Sequence, residues 1–236
     1  MKRPTEIFNL DERFDPQAKQ GALQVFAQSK DDVAELHING PIGEFMDWAS
    51  GEAVGISGGQ VKSFLKDNKN KPVNVHINSD GGLAYEGFVI YNALLSHESK
   101  VTAIIDGLAF SAASFIPMAA DEIVMYEASH IGIHRAWGMA IGNANEMRAQ
   151  AEWLDKMDDT LVAIYAARTG QSDDAVNKAL DGKDDGTLYN AQDAVDFGLA
   201  DRIIETKKKQ RQSSNSVRHF DEDIKARLAM RLKRWA

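Results

Sequence analysis

The chain has 236 residues, 44% of them apolar, which is enough for one sizeable α/β domain with extensions and too few for two large ones. It contains no cysteine, which excludes a thiol nucleophile, a cysteine-based zinc site and a disulfide framework, and fits a reducing compartment. Residues 206–236 hold ten Lys/Arg against three Asp/Glu, a local balance of +7 within an overall −8, so residues 1–205 carry −15; a body that acidic argues against nucleic acid as a partner.

Residues 1–30 are polar, lack a clear period and are expected to form an arm. The two basic residues at its start have no apolar run behind them, so no secretory signal is expected. Val33-Ala-Glu-Leu-His-Ile is a strand by its apolar residues Val33, Leu36 and Ile38, and Gly40-Pro-Ile-Gly marks a turn. A glycine-rich stretch over 50–60 leads into a helical, amphipathic segment over 61–65. Val73-Asn-Val-His-Ile-Asn alternates as a strand does. Ser79-Asp-Gly-Gly breaks that pattern before a helical period through Phe88, Tyr91, Leu94 and Leu95. The next strand is 101–105, and Asp106-Gly107 is expected to turn the chain into a helix-like apolar run over 109–120. Short strands follow at 123–125 and 131–133.

A long amphipathic helix is expected over about 144–169, with Met147, Ala151, Leu154, Met157, Leu161, Ile164 and Tyr165 at three- and four-residue spacing. Gly170 stops it. Asn190 caps a short helix over 191–197, Gly198 ends it, and 199–204 is the last strand. Strands alternating with helices predict an α/β fold. The phrases His37-Ile-Asn and His76-Ile-Asn are two similar strand ends rather than a repeat. No stretch approaches the roughly 20 apolar residues of a membrane span.

The segment over 101–120 carries the first candidate for chemistry. Ser111 stands at the start of a run of small and apolar residues, where unpaired backbone N–H groups favour a developing oxyanion. The plain alternative is a helix-capping serine. Gly81-Gly82 lies between a strand and a helix, where glycines permit positive φ and close backbone approach to a substrate. Of the six histidines, His130 and His134 follow Ser111 soonest, and His134 ends an apolar strand. Asp and Asn are plentiful, so spacing does not identify a third residue.

Three blocks together carry a resemblance: Ile77-Asn-Ser-Asp-Gly-Gly, Asp106-Gly-Leu-Ala-Phe-Ser-Ala-Ala-Ser and Gly132-Ile-His-Arg-Ala-Trp. In order and spacing they resemble the signature blocks of the Clp protease proteolytic subunit family, and Ala191-Gln-Asp-Ala-Val-Asp-Phe-Gly-Leu-Ala-Asp is similar to its closing block. The likeness covers about 33–205. The wording around Ser111 and the tryptophan after the histidine, Trp137, most resemble the variety found in tailed phages and prophages, which acts in head maturation.

The resemblance implies an α/β ClpP/crotonase-like fold of stacked ββα units with a protruding handle helix at about 144–169. The peptidase domain would span 31–205, between an arm over 1–30 and a basic tail over 206–236. It implies a serine endopeptidase with Ser111 as nucleophile and His134 as base. The N–H groups of Gly81, Gly82 and Ala112 would form the oxyanion hole, with no metal and no cofactor. Asp185 is taken as the acid, although the position that aligns without a gap is Gly186, and Asp184 is the other carboxylate within reach. Arg135, where the family has other residues, bears on substrate preference or subunit pairing.

Expected partners are further copies in a ring or stacked rings, polypeptide substrates such as capsid or scaffold proteins, and a separate ATPase, since the chain has no phosphate-binding loop. The expected location is the cytoplasm, or a procapsid if the protein is viral. The tail places Ile224, Leu228, Leu232 and Trp235 near helical spacing among basic residues, suited to an acidic or membrane surface or to a solvated end. Two other functions share the fold: a non-catalytic ring or scaffold component, and a crotonase acting on acyl-CoA.

Overall fold

The computed structural model describes residues 32–46, 51, 53–183 and 186–205. The expected arm over 1–30, the basic tail over 206–236, and Asp184 and Asp185 lie outside the described residues.

The architecture starts from three strands with the same alternation. In β1 (Ala34–Asn39), β4 (Val73–Ser79) and the first half of β5 (Val101–Phe110) every second residue is buried, beginning with Ala34, Val73 and Val101. One face therefore joins the core and the other carries polar groups. Two short strands, β2 (Phe45–Met46) and β3 (Ala53–Val54), form a separate antiparallel pair. The main sheet runs β1–β4–β5–β6–β9, all parallel, with β6 at Glu122–Tyr126 and β9 at Arg202–Ile204.

Helices α1 (Gly58–Asp67) and α2 (Ala84–Leu95) connect β1 through β5 and pack on the buried face through Val61, Phe64, Leu65, Ile90 and Leu94. Ser57 and Gln60 close a capping box on α1, which explains its start three residues before the expected segment.

β5 is where the fold departs from expectation. Asp106-Gly107 does not turn the chain; the strand continues to Phe110, so Ala109 and Phe110 are strand rather than helix. The extension has its own partners: Leu108, Ala109 and Phe110 pair with His130, Ile131 and Gly132 of β7 (His130–Ile133), and the Leu108 N–H donates to Asn78 Oδ1 at 3.2 Å. β5 thus serves two neighbours, β6 along its first half and β7 along its second. Only four residues of α-helix follow, α3 (Ala112–Phe115), and a 3₁₀ turn at Ile116–Ala119 completes the apolar run.

The long helix α4 (Ala144–Thr169) has the expected bounds. Asn143 caps it, accepting from the N–H groups of Asn145 and Glu146, and Gly170 ends it at φ +70°. Its buried residues all lie in the second half, from Met157 to Tyr165, and its first turns, with Met147, are exposed. Two further elements went unread in the sequence: α5 (Asp173–Asp181) and β8 (Thr187–Asn190), which pairs antiparallel with β7. α6 (Ala191–Phe197) starts at the expected Asn190 cap, and β9 begins three residues later than expected because the Leu199 and Ala200 N–H groups donate back to Ala194 O at the end of α6. No helix among the described residues is long and apolar enough to cross a membrane.

Candidate active site

Ser111 follows β5 directly and takes φ 56°, ψ −126°, conformational space that L residues seldom occupy. Its side chain does not cap α3, so the capping explanation for this serine does not hold. Nor does a long dipole face it, because α3 is only four residues. Hydrogen bonds hold the strained backbone: the Ser111 N–H donates to Gly132 O at 3.0 Å, and the Ser111 carbonyl accepts from the Ser114 N–H at 2.9 Å and from Ser114 Oγ at 2.5 Å. Ser114 Oγ also lies 2.6 Å from Tyr165 Oη. With the Ser114 proton used on Ser111, Tyr165 is the donor; burial raises its pKa well above the ordinary value and keeps it protonated. The chain is buried here, so α4 fixes the nucleophile candidate through two hydroxyls.

Gly81 lies against Ser111. A β-carbon at Gly81, which has φ +95°, would come within 2.6 Å of Ser111 Cβ and Phe110 O and 2.9 Å of the Ala112 nitrogen. Gly82, at φ +149°, is pressed against Ile42, whose carbonyl a β-carbon would meet at 2.2 Å. Ile42 clamps this loop from both sides: its N–H donates to Gly81 O and its carbonyl accepts from the Leu83 N–H, both at 2.8 Å. Residues 40–43, expected only as a turn, are thus a strap under the glycines. The Gly81 N–H donates to Ser79 Oγ at 3.1 Å. Gly81 and the Ala112 nitrogen thus lie at Ser111, while Gly82, next in the chain, is held against Ile42.

His134 follows β7 as Ser111 follows β5, and the two strands are paired, so both expected residues sit at the ends of neighbouring strands. The Phe110 ring stacks on His134 with centroids 5.1 Å apart. It also covers Gly132, where a β-carbon would lie 2.3 Å from Phe110 Cδ2; glycine there lets the ring reach the histidine. Among the described residues neither Ser111 Oγ nor the His134 ring makes a hydrogen bond.

The position that aligns with the acid is occupied by backbone alone. Gly186, at φ +117°, would place a β-carbon 2.7 Å from His134 Cβ and 2.6 Å from Ile133 O. Gly182 and Gly186 bridge each other, and Asp184 and Asp185, between them in sequence, lie outside the described residues.

The group that sequence reasoning missed holds the chain just after His134. Arg135 donates through Nε to Asp181 at 2.5 Å, through Nη1 to Asp158 at 3.2 Å and through Nη2 to Asn177 at 3.1 Å. Asp158, a buried carboxylate of α4, also accepts the Ala136 N–H at 2.6 Å. The bond to Asp181 raises the Arg135 pKa and holds the Asp181 carboxyl below its usual range. Arg135 therefore ties the end of β7 to α4 and α5 within its own chain. Charged residues fill α4, so nothing in the sequence singled out Asp158.

Residues 60–207 match the family model described as Clp protease. The ATP-dependent Clp protease proteolytic subunit 1 of Protochlamydia amoebophila (strain UWE25) is 35% identical over 138 residues, which make up 57% of this chain and 66% of that protein. The match thus spans just under two thirds of that relative's length. A solved structure of a ClpP1 point mutant from Listeria monocytogenes superposes with a TM-score of 0.60 at 22% identity, over 73% of this chain and 92% of that one. That likeness shows the fold, an α/β arrangement of helices around a largely parallel sheet.

Proposed function

The chain belongs to the Clp protease family, and from that premise we propose that it is a serine endopeptidase with Ser111 as nucleophile and His134 as general base. One observation carries the reading: Ser111 is a non-glycine residue held at φ 56° beside Gly81, with its side chain turned away from helix capping. Strain of this kind costs about 1–3 kcal/mol and persists where function needs it.

In the reaction, Ser111 Oγ attacks the scissile carbonyl while its proton passes to His134. The histidine then protonates the leaving amine, and water, deprotonated by the same ring, hydrolyses the acyl-enzyme. Because the Gly81 N–H already donates to Ser79 Oγ, Gly82 and Ala112 are the stronger pair of oxyanion donors, with Gly81 shaping the wall. Asp185, one residue before Gly186 in sequence, is the acid that orients His134. Substrate or assembly closes the Ser111–His134 hydrogen bond, as happens in sites whose contacts tighten only in the reacting complex.

The working form is a ring, or rings stacked through α4, whose exposed first half, with Met147 and the preceding Trp137, Met139 and Ile141, supplies apolar surface for burial between copies. The substrates are polypeptides, and the resemblance around Ser111 and Trp137 favours capsid or scaffold proteins processed during phage head maturation, in the host cytoplasm or the procapsid. A separate ATPase would feed folded substrates.

A second reading, a ring or scaffold component without activity, is favoured by Gly186 at the aligned acid position and by a His134 ring that makes no hydrogen bond among the described residues. Labelling the assembled protein with a fluorophosphonate serine probe separates the two. The peptidase reading expects label on wild type and none on Ser111→Ala or His134→Ala; an unlabelled wild type supports the scaffold reading. Label persisting in Ser111→Ala would point to another serine, though not readily to Ser114, which is fully buried with its hydroxyl engaged.

A further inference from the structure

The outer face of the sheet carries a second cluster of titratable groups, on residues the peptidase reading does not use. His37 of β1 and His76 of β4 are direct partners across the parallel ladder. Their rings stack with centroids 4.7 Å apart and planes 14° from parallel. Asp106 of β5 stands on the same face, two residues beyond Ile104, the partner of His76. His76 Nδ1 lies 3.0 and 3.1 Å from the two Asp106 oxygens. Its Nε2 lies 3.2 Å from Glu35 Oε2, while Glu35 Oε1 accepts from Asn74 Nδ2 at 2.9 Å. The Nε2 approach is poorly aligned, and Glu35 Oε2 is buried without a proper hydrogen bond among the described residues. One ligand atom from each of His37, His76 and Asp106 falls within 4.8 Å of the others.

We propose that His37, His76 and Asp106 bind a divalent first-row transition metal of the zinc type, with Glu35 orienting His76 from behind. Two imidazoles and a carboxylate are a donor set suited to such ions. Ligands about 2.0–2.1 Å from a tetrahedral ion lie about 3.4 Å apart, so side-chain rotations of about 1 Å close the set. Glu35 supplies the outer partner that a metal-bound imidazole commonly has: once Nδ1 holds the metal, the Nε2 proton points at a carboxylate that Asn74 fixes in place. Two carboxylates facing two imidazoles also leave the cluster negative unless a cation enters.

Burial, and then the neighbouring His76 charge, hold the His37 pKa below its ordinary value, which favours the neutral, ligating form. The hydrogen bond to Asp106 raises that of His76, so the metal takes the place of the proton between His76 and Asp106. Such an ion would staple three strands, two of which run on to Ser79 and Ser111.

The test uses the full chain without an affinity tag, stripped with a chelator, dialysed, and titrated with Zn²⁺ by calorimetry and with Co²⁺ by visible absorption. The expected result is one ion per chain, with affinity at least tenfold lower in His76→Gln and in Asp106→Asn. His97→Gln should bind as wild type, because that ring contacts Lys71 O outside the cluster. Zinc should raise the melting temperature of wild type and not that of Asp106→Asn. Asp106 is exposed, so its variant keeps the test decisive if His76→Gln fails to fold. No binding by wild type, binding that survives both substitutions, or binding lost in His134→Gln and kept in His76→Gln overturns the proposal. Binding is the readout, so a chain with no peptidase activity is tested equally well.

Discussion

A β-carbon on Gly186 would sit 2.7 Å from the β-carbon of His134, so the residue facing the base is one that has no side chain to offer. The orienting carboxylate proposed above is that of Asp185, the residue before Gly186 in sequence. Asp185→Asn is expected to lower kcat by up to about 10⁴-fold, the cost of losing the orienting acid in a Ser-His-Asp centre, with little change in melting temperature. Asp184→Asn should stay near wild type. Peptide hydrolysis by both variants checks this, and a loss confined to Asp184→Asn would move the acid to that residue.

Gly81→Ala tests the wall of the site. The added methyl meets Ser111 Cβ at 2.6 Å and Phe110 O at 2.6 Å, and alanine at φ +95° is strained besides. Ser111 is the softer neighbour, since Ile42 clamps the loop on its other side. Fluorophosphonate labelling should slow by about 100-fold or more, as expected when a reacting group is displaced by about 1 Å. Chemical denaturation should show a loss of more than about 1–2 kcal/mol, the cost of the backbone conformation alone, because the methyl also meets the Phe110 carbonyl. Labelling at the wild-type rate would mean that Gly81 does not shape the nucleophile.

Tyr165→Phe removes the phenol that donates to Ser114 Oγ and leaves a buried hydroxyl without its donor. A lost hydrogen bond of this kind costs about 0.5–1.5 kcal/mol, which urea unfolding can measure. Because Ser114 still donates to the Ser111 carbonyl, labelling should slow less than in Ser114→Ala, where both hydroxyl links vanish. The reverse order would place the tyrosine's effect elsewhere than through Ser114.

Local chemistry made much of this legible in the sequence. Val73-Asn-Val-His-Ile-Asn alternates because one face is core, and Asn143 and Gly170 bracket α4 by caps whose side-chain and φ requirements are local. The Asp106-Gly107 turn was misread because its correction is not local: β5 continues only because β7, some twenty residues later, supplies partners for residues 108–110. The strap at Ile42 and the α4 and α5 partners of Arg135 were invisible for the same reason, as each acts through a contact distant in sequence. Ser111 alone could not be told from a cap; its φ and its idle side chain are properties of the folded backbone.

Arg135 links three acceptors with one planar fork, and Asp158, which is buried, depends on it together with the Ala136 N–H. Arg135→Ala leaves that carboxylate with a single donor, and hydrogen bonds to a buried charge contribute about 1.5–3 kcal/mol, so a loss of about 2 kcal/mol is expected in urea unfolding. Arg135→Lys should recover only part of it, because an ammonium cannot reach Asp158, Asp181 and Asn177 with the same geometry. The exposed Asp181 link contributes less: Asp181→Asn should leave the unfolding midpoint close to wild type. Since the network begins one residue after His134, Arg135→Ala should also slow fluorophosphonate labelling, while Asp181→Asn leaves it close to wild type. A lysine variant as stable as wild type would show that charge, and not the fork, holds this strand end.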